Sequence, residues 1–570
     1  MRVFHLALLL FIWFSATPAG GVEFIDAQPL AQSKSFQVGE VRGTGPVRVP
    51  LITWGGDIAT LHANGDALLT RPDSIFAKLG LQLQLVREDV FVKQLASYLS
   101  GESPYLRGTL GMLNQAADLL HQDPKTRPVI IYQLTWSAGG DALVVKPNIQ
   151  TAKDLQGKTI AVQAYGPHVD YLIRVLSDAG LTPRDVKIRW LKDLTGSAQT
   201  PAAALHESSI DAAFVILPDA LALTSGGKVG TGAEDSVKGA RILLSTKTAN
   251  RVIADVYAVR SDYFAAQREE VEKFVRGLLQ ATESLQKIVA HRANAPQAYQ
   301  TVFTAAAKAL LDSDQAVEDT FGLYQDAEFV GFDGNLRFFQ DNNYPRRVEI
   351  LNNEAQKGLA ALGLVQGTVL FAKADWNYGL MQAGLSGTSK PQTPRFDETK
   401  LAAVVSERQQ QGALQSGELF HFEVYFAPNQ KNFSVDFYRD AFDKVIDLAS
   451  TYGGAVITVE GHSDPMGYLR QLKEGAPEVV LGQIKQSAKN LSISRAQEVR
   501  DNIVRYAVSK GITLDPSQFA VIGHGIAAPK TGLCGNAPCP PKSEQEWRSN
   551  MRVEFRILQV EAEESVFNPL

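Results

Sequence analysis

An α/β fold in two modules is predicted by three features of the chain. From Arg48 to Leu364, short apolar runs of strand length alternate with helical stretches; a stretch rich in Gly, Ser, Thr and Pro follows at residues 384–394; beyond Phe420, amphipathic helices alternate with strands in a smaller unit. A chain of 570 residues exceeds what one core can serve, and roughly three or four folding units are the natural division.

Met1-Arg2, the apolar run Val3 to Phe14 and the small residues Ser15-Ala16-Thr17-Pro18-Ala19-Gly20 describe a secretory signal peptide, residues 1–19, with the cut after Ala19. The run is shorter than the roughly 20 apolar residues of a bilayer span. Strands are expected at Pro50 to Trp54, Leu81 to Val86 and Pro128 to Leu134. Thr159 to Gln163 and Ala212 to Leu217 are nearly continuous apolar runs, as strands covered on both faces are. Residues 384–415 read as a linker, extended at first and helical from Leu401 to Gln415. Phe437, Ala441, Val445 and Leu448 form the buried stripe of a helix, followed by a strand from Ala455 to Glu460. A second helix is expected from about Ser492 to Lys510, stopped by Gly511. Phe519 to Ile522 and the alternating Met551, Val553, Phe555 and Ile557 complete a small sheet with helices on one face.

With 45% apolar and 21% charged residues the chain is globular, and a net charge of −5 excludes an electrostatic case for nucleic acid. Its two cysteines, Cys534 and Cys539, share one Pro/Gly-rich loop, which in an exported protein favours a local disulfide. That loop lacks the His or carboxylate partners of a metal site, and no GxSxG elbow, HExxH pair or Cys/His cluster of metal spacing occurs; neither a metal nor a cofactor is expected.

Asp154-Leu155-Gln156-Gly157-Lys158-Thr159-Ile160-Ala161-Val162, then Ala179-Gly180-Leu181, Asp185-Val186, and Ile210-Asp211-Ala212-Ala213 with Pro218 form an ordered series. It resembles periplasmic solute-binding proteins of the nitrate/sulfonate/taurine transport type. The resemblance implies a two-lobed periplasmic-binding-protein fold over residues 48–364. One lobe would comprise about 49–145 plus 255–343 and the other 146–254. Ligand would sit where strand ends from both lobes converge, at Trp54, Gly56 and Asp57, at Thr135, Trp136 and Ser137, at Tyr165, Gly166 and His168, and at Asp219. Two indoles beside a carboxylate suit a solute with an apolar or cationic portion.

Glu460-Gly461-His462-Ser463-Asp464, Leu491-Ser492-Ile493-Ser494-Arg495-Ala496 and Asn550-Met551-Arg552-Val553-Glu554-Phe555 form a second series. It resembles the OmpA-like peptidoglycan-binding domain, here residues 420–558, a small α/β sandwich. The resemblance implies that Asp464 receives the ammonium of a diaminopimelate stem while Arg495, on the first turn of a helix, grips its carboxylate, with Asn550 and Arg552 as further polar contacts. The segment from Arg470 to Lys489 is longer than the family's spacing, and Met551 stands where the family usually carries Arg. Together the resemblances imply an exported, non-catalytic solute receptor held at the cell wall, handing its solute to an ABC permease or signalling to a membrane sensor. The competing readings are an enzyme of the two-lobed fold that makes the thiamine pyrimidine, and a wall linker without a ligand.

Overall fold

The computed structural model describes residues 21–33, 36–43, 45–233, 235–386, 396–410, 418–426 and 438–558. The expected signal peptide, most of the extended spacer and Phe437 lie outside them.

The larger unit is built on two sheets. β1 (Val47–Leu51) and β2 (Leu83–Arg87) form a parallel pair beside the first sheet. That sheet contains β3 (Tyr105–Thr109), β4 (Pro128–Ser137), β10 (Ala254–Arg260) and β11 (Ala327–Phe329) in the order β11-β4-β10-β3. The second sheet contains β5 (Asp141–Val145), β6 (Thr159–Gln163), β7 (Lys187–Leu191), β8 (Ala212–Ile216) and β9 (Arg241–Ser245) in the order β7-β6-β8-β5-β9. The apolar runs become strands because both faces are covered: every residue of β4, β5 and β10 is buried. The chain passes between the sheets twice, through Ala138–Gly140 after β4 and through residues 246–253 before β10. Residues 141–145, assigned from sequence to the first lobe, pair instead with β8 and β9 of the second sheet, because the turn at Gly139-Gly140 ends β4 earlier than residue 145.

Five helices frame the crossings and the junction with the smaller unit. They are α1 (Asp57–Ala63), α2 (Leu110–Gln115), α3 (Val169–Asp178), α4 (Val348–Ala361) and α5 (Glu398–Gln410). The smaller unit is a four-stranded sheet of β13 (Glu418–Tyr425), β14 (Val456–His462), β15 (Phe519–Gly525) and β16 (Arg552–Leu558), ordered β13-β16-β14-β15, β12 being the short Ala372–Lys373 segment on β4. α6 (Arg439–Thr451) and α7 (Glu478–Ser509) cover one face, where Ile457, Val459, Val553 and Phe555 meet Val445, Ala496, Val499 and Ile503. α5 packs Leu401 and Val405 on Val456, Ile522 and Leu558 at one end of the other face.

α7 departs from expectation. It is one helix of 32 residues beginning at Glu478, so Arg495 lies in its middle and Ser492 does not cap it. The stretch from Glu478 to Leu491 contains no proline and only Gly482, so nothing interrupts the backbone ladder even though this part packs on little. Ser492 instead donates to the Lys489 carbonyl at 2.8 Å and accepts the Gly525 N–H at 3.0 Å, tying α7 to β15.

The two units share a core and a buried polar junction. Arg174 on α3 reaches Asp178 and Asp447 of α6 at 2.6 Å each, while Asp178 receives Lys444 at 2.9 Å and the Tyr452 hydroxyl at 2.8 Å. Among the described residues no helix is long and apolar enough to cross a membrane.

Candidate functional site

Trp54, Asp57, Thr135, Ser137 and His168, among the sequence-predicted residues of the larger unit, lie at its two crossings. β1 ends at Leu51, and the turn that follows presents the Trp54 indole N–H to Thr135 Oγ1 at 3.0 Å. The Thr135 hydroxyl donates onward to Asp255 Oδ2 at 2.9 Å. Asp255 accepts Arg107 Nη1 at 2.9 Å, and Arg107 closes on Asp57 through Nη2 at 2.7 Å and Nε at 3.2 Å. All three charges are buried. Burial raises the Asp57 carboxyl to about 6 against the pull of Arg107, and raises that of Asp255 as well. Asp57, a candidate ligand contact, is therefore engaged by Arg107, because a carboxylate at zero exposure requires a counter-charge.

A second chain of polar groups begins one residue beyond Trp136. Ser137 donates to Asp141 Oδ2 at 2.6 Å and meets Thr246 at 2.9 Å, and the Gly139 and Asp141 amides both donate to Thr246 Oγ1 at 3.1 Å. His168, at the start of α3, places Nε2 2.7 Å from Asp141 Oδ1, leaving its buried Nδ1 without a partner. Gly140 is required by proximity: a Cβ there would lie 2.5 Å from the Trp54 ring.

The other candidates lie further out. Trp136 is buried edge-on against Phe338 with Arg251 over its ring. Tyr165 holds φ near +61° and exchanges hydrogen bonds with the Gln28 backbone at 2.7 and 3.0 Å. The Gly166 carbonyl accepts Gln115 Nε2 at 3.0 Å. Asp219 is half-buried, and its carboxyl is raised by that burial.

Sequence reasoning missed Arg107, Asp141, Asp170, Asp255 and Asp326. The available signal was a charge inside an apolar strand run, as in Leu106-Arg107-Gly108 and Ala254-Asp255-Val256, since such a charge needs a partner. Asp170 is the most isolated: it is half-buried against Gly111, accepts the Tyr171 N–H at 3.1 Å, and desolvation drives its carboxyl up to about 8, with Asp141 and Asp255 adding to the rise. Asp326, across from Gly139, is raised by burial to about 6. Beside Asp170 the cavity lined by Gly111, Val252, Ala254 and Arg346 is only ≈ 20 Å³, room for about one water.

In the smaller unit the four candidates separate. Asp464 follows β14 and accepts the Met466 N–H at 3.0 Å. Arg495 is 5% exposed with its Nε unpartnered; burial depresses its guanidinium, and the Asp464 carboxylate acts in the opposite direction. Among the described residues no salt bridge joins the two. Arg552 turns to the sheet face, where its Nε donates to Glu554 Oε1 at 2.6 Å. Asn550 is buried and holds Thr531 through its amide at 3.3 Å, next to the Cys534–Cys539 disulfide loop. Arg552 and Asn550 thus have partners within the domain.

Residues 139–291 match the family described as NMT1/THI5 like. The matched segment holds Asp141, His168, Asp170, Thr246 and Asp255. Over 160 residues the chain is 32% identical to the taurine-binding periplasmic protein of Escherichia coli (strain K12), covering 27% of this chain and 44% of that protein. The chain therefore spans less than half the length of that curated relative. Solved structures similar in outline include the alkanesulfonate-binding protein SsuA of Xanthomonas axonopodis pv. citri, 17% identical over 59% of this chain and 100% of that one, with a TM-score of 0.39. The periplasmic aliphatic sulphonate binding protein SsuA of Escherichia coli is also 17% identical, over 57% of this chain and 90% of its own, with a TM-score of 0.39.

Proposed function

We propose that this chain is an exported, non-catalytic binding protein for a small solute bearing an ammonium group, held to peptidoglycan by its C-terminal domain. The observation that carries the solute reading is a deficit of positive charge at the crossing. Asp57, Asp141, Asp170, Asp255 and Asp326 gather there around Arg107, His168 and Lys247, and the carboxyls of Asp57, Asp170 and Asp326 are pushed up because burial outweighs the pull of Arg107 on the first and of Lys247 on the last. An entering ammonium supplies the missing charge when the lobes close on it. A zwitterion such as an amino-sulfonate carries an ammonium of this kind. The similarity to a taurine-binding protein supports that class. The receiver of the solute is an ABC permease or a membrane sensor.

Trp54 reports on this reading. Taurine and other small amino-sulfonates are expected to change the indole emission of the full chain saturably, and Trp54→Phe is expected to remove most of the change. A flat titration with these compounds, alongside a response to anions lacking an amine, would overturn the assignment of an ammonium ligand.

The wall-binding reading rests on Arg495, a buried guanidinium with an open donor beside the Asp464 carboxylate. Opposite charges near one another but unjoined suit the two poles of a diaminopimelate end. In pelleting assays with diaminopimelate-type sacculi, Arg495→Ala and Asp464→Ala are each expected to weaken association about tenfold or more, since a hydrogen bond to a charged group is worth about 1.5–3 kcal/mol. Undiminished pelleting by both variants would remove peptidoglycan as the partner.

A further inference from the structure

We propose that the face of the C-terminal sheet opposite α6 and α7 is a binding site for one divalent transition-metal ion, zinc by chemistry, held by Glu460, His462 and His524. Alternation along β14 sends Thr458, Glu460 and His462 to the face opposite α6 and α7, because Gly461 backs onto α7, where a Cβ would lie 2.0 Å from the Ser492 carbonyl oxygen. On β15 the pairing slips by one residue between Gly461 and His462, from Gly461↔Gly523 to His462↔Gly525. Alternation from Ile522, the partner of Glu460, puts His524 on the same face, and the slip offsets it from His462 so that the two imidazoles stack at 4.7 Å with 13° between their planes. One ligand atom from each of the three side chains lies within 4.8 Å of the others.

The decisive group is His462. It is 2% exposed, and its Nδ1 lies 3.0 Å from the Ala528 carbonyl oxygen. A carbonyl only accepts, so Nδ1 carries the hydrogen and Nε2 presents a lone pair. That Nε2 has no hydrogen-bond partner, an arrangement that buried polar atoms rarely keep. A metal-bound histidine shows the same division of labour, with one nitrogen on a backbone carbonyl and the other on the ion. Glu460 and His524 are already together, Oε2 and Nε2 being 2.8 Å apart. The ion would replace the hydrogen between them, and that proton would pass to solvent. Glu460 Oε1 is engaged separately by Thr458 at 2.7 Å and by Arg556 at 3.0 Å, which leaves Oε2 for the ion. Glu554 Oε1, 3.5 Å from His462 Nε2, stands beside the fourth position.

Charge favours a cation here. Glu418, Glu423, Glu460 and Glu554 face the fixed positive charges of Arg552, Arg556 and Lys530, so with neutral histidines the face keeps a negative excess. Two imidazoles with a carboxylate suit zinc over the oxygen-seeking calcium and magnesium. Spacing along the sequence does not reveal the set, since His524 is 62 positions beyond His462 and joins it only through strand pairing.

The test uses the full chain stripped by a chelator and dialysed. Calorimetric titration with zinc is expected to show one tight equivalent, and cobalt(II) is expected to give the visible absorption of a four-coordinate nitrogen/oxygen site. His462→Gln and His524→Gln should each weaken binding about tenfold or more, whereas His291→Gln, an exposed imidazole in the larger unit, should leave it unchanged. Far-UV circular dichroism of each variant separates lost binding from lost folding. Absence of a tight equivalent in the wild-type chain, or equal affinity in a folded His462→Gln variant, would overturn the site.

Discussion

Arg107→Met is expected to unfold the larger unit at ambient temperature or bring it close to unfolding. Arg107, Asp57 and Asp255 are 0%, 0% and 2% exposed, so removing the guanidinium leaves two carboxyls in the core with no cation in reach. Breaking a buried pair from one side costs about 3–5 kcal/mol, a large part of the roughly 5–15 kcal/mol that holds a domain. The loss propagates: Asp255 also orients Thr135, and Thr135 orients Trp54. Urea unfolding followed by tryptophan emission measures the effect. The triple variant Arg107→Met with Asp57→Asn and Asp255→Asn is expected to recover much of the stability, because no charge then remains to be desolvated. A single Arg107→Met variant as stable as the wild type would show that the triad is not electrostatically essential.

Asp170 is expected to make the same unit more stable in mild acid than at neutral pH. Folding raises its carboxyl from the ordinary 3.8 to about 8, through burial first and the neighbouring Asp141 and Asp255 next. Between those values the folded chain holds a proton that the unfolded chain has released. The stabilisation is therefore complete below pH 3.8, declines as pH rises, and is gone above about 8, with a slope of about 1.4 kcal/mol per pH unit. Asp57 and Asp326, raised to about 6, act in the same direction below that pH. Unfolding free energies at pH 5, 6, 7 and 8 measure the slope, and Asp170→Asn, which keeps the shape without the charge, should flatten its upper part. An identical slope in that variant would locate the linkage elsewhere. Solute bearing an ammonium should also flatten it, since a cation beside the carboxylate restores ionisation without cost to the fold.

Much of the secondary structure was legible because strand and helix patterns are local. The run Thr159–Gln163 is a strand with the expected ends, and Val445 and Leu448 lie on the buried stripe of α6 as their spacing requires. Phe420, Phe422 and Val424 alternate with His421, Glu423 and Tyr425, a period of two that marks β13 and was open to the same reading. Local signals misplaced the start of α7, where Ser492 looks like a cap but sits inside an uninterrupted helix.

The order of residues alone determined the alternating α/β pattern, the pairing of Cys534 with Cys539 across five positions, and the presence of Asp464 and Arg495 in one small domain. Tertiary structure decided which charges meet. Arg107 finds Asp57 and Asp255 at separations of 50 and 148 residues, Arg174 joins α3 to α6, and His462 reaches His524 through a slipped strand pairing. The physical reason is that burying an apolar face depends on a residue's near neighbours in sequence, whereas compensating a buried charge depends on whatever side chain the fold brings within a few ångströms.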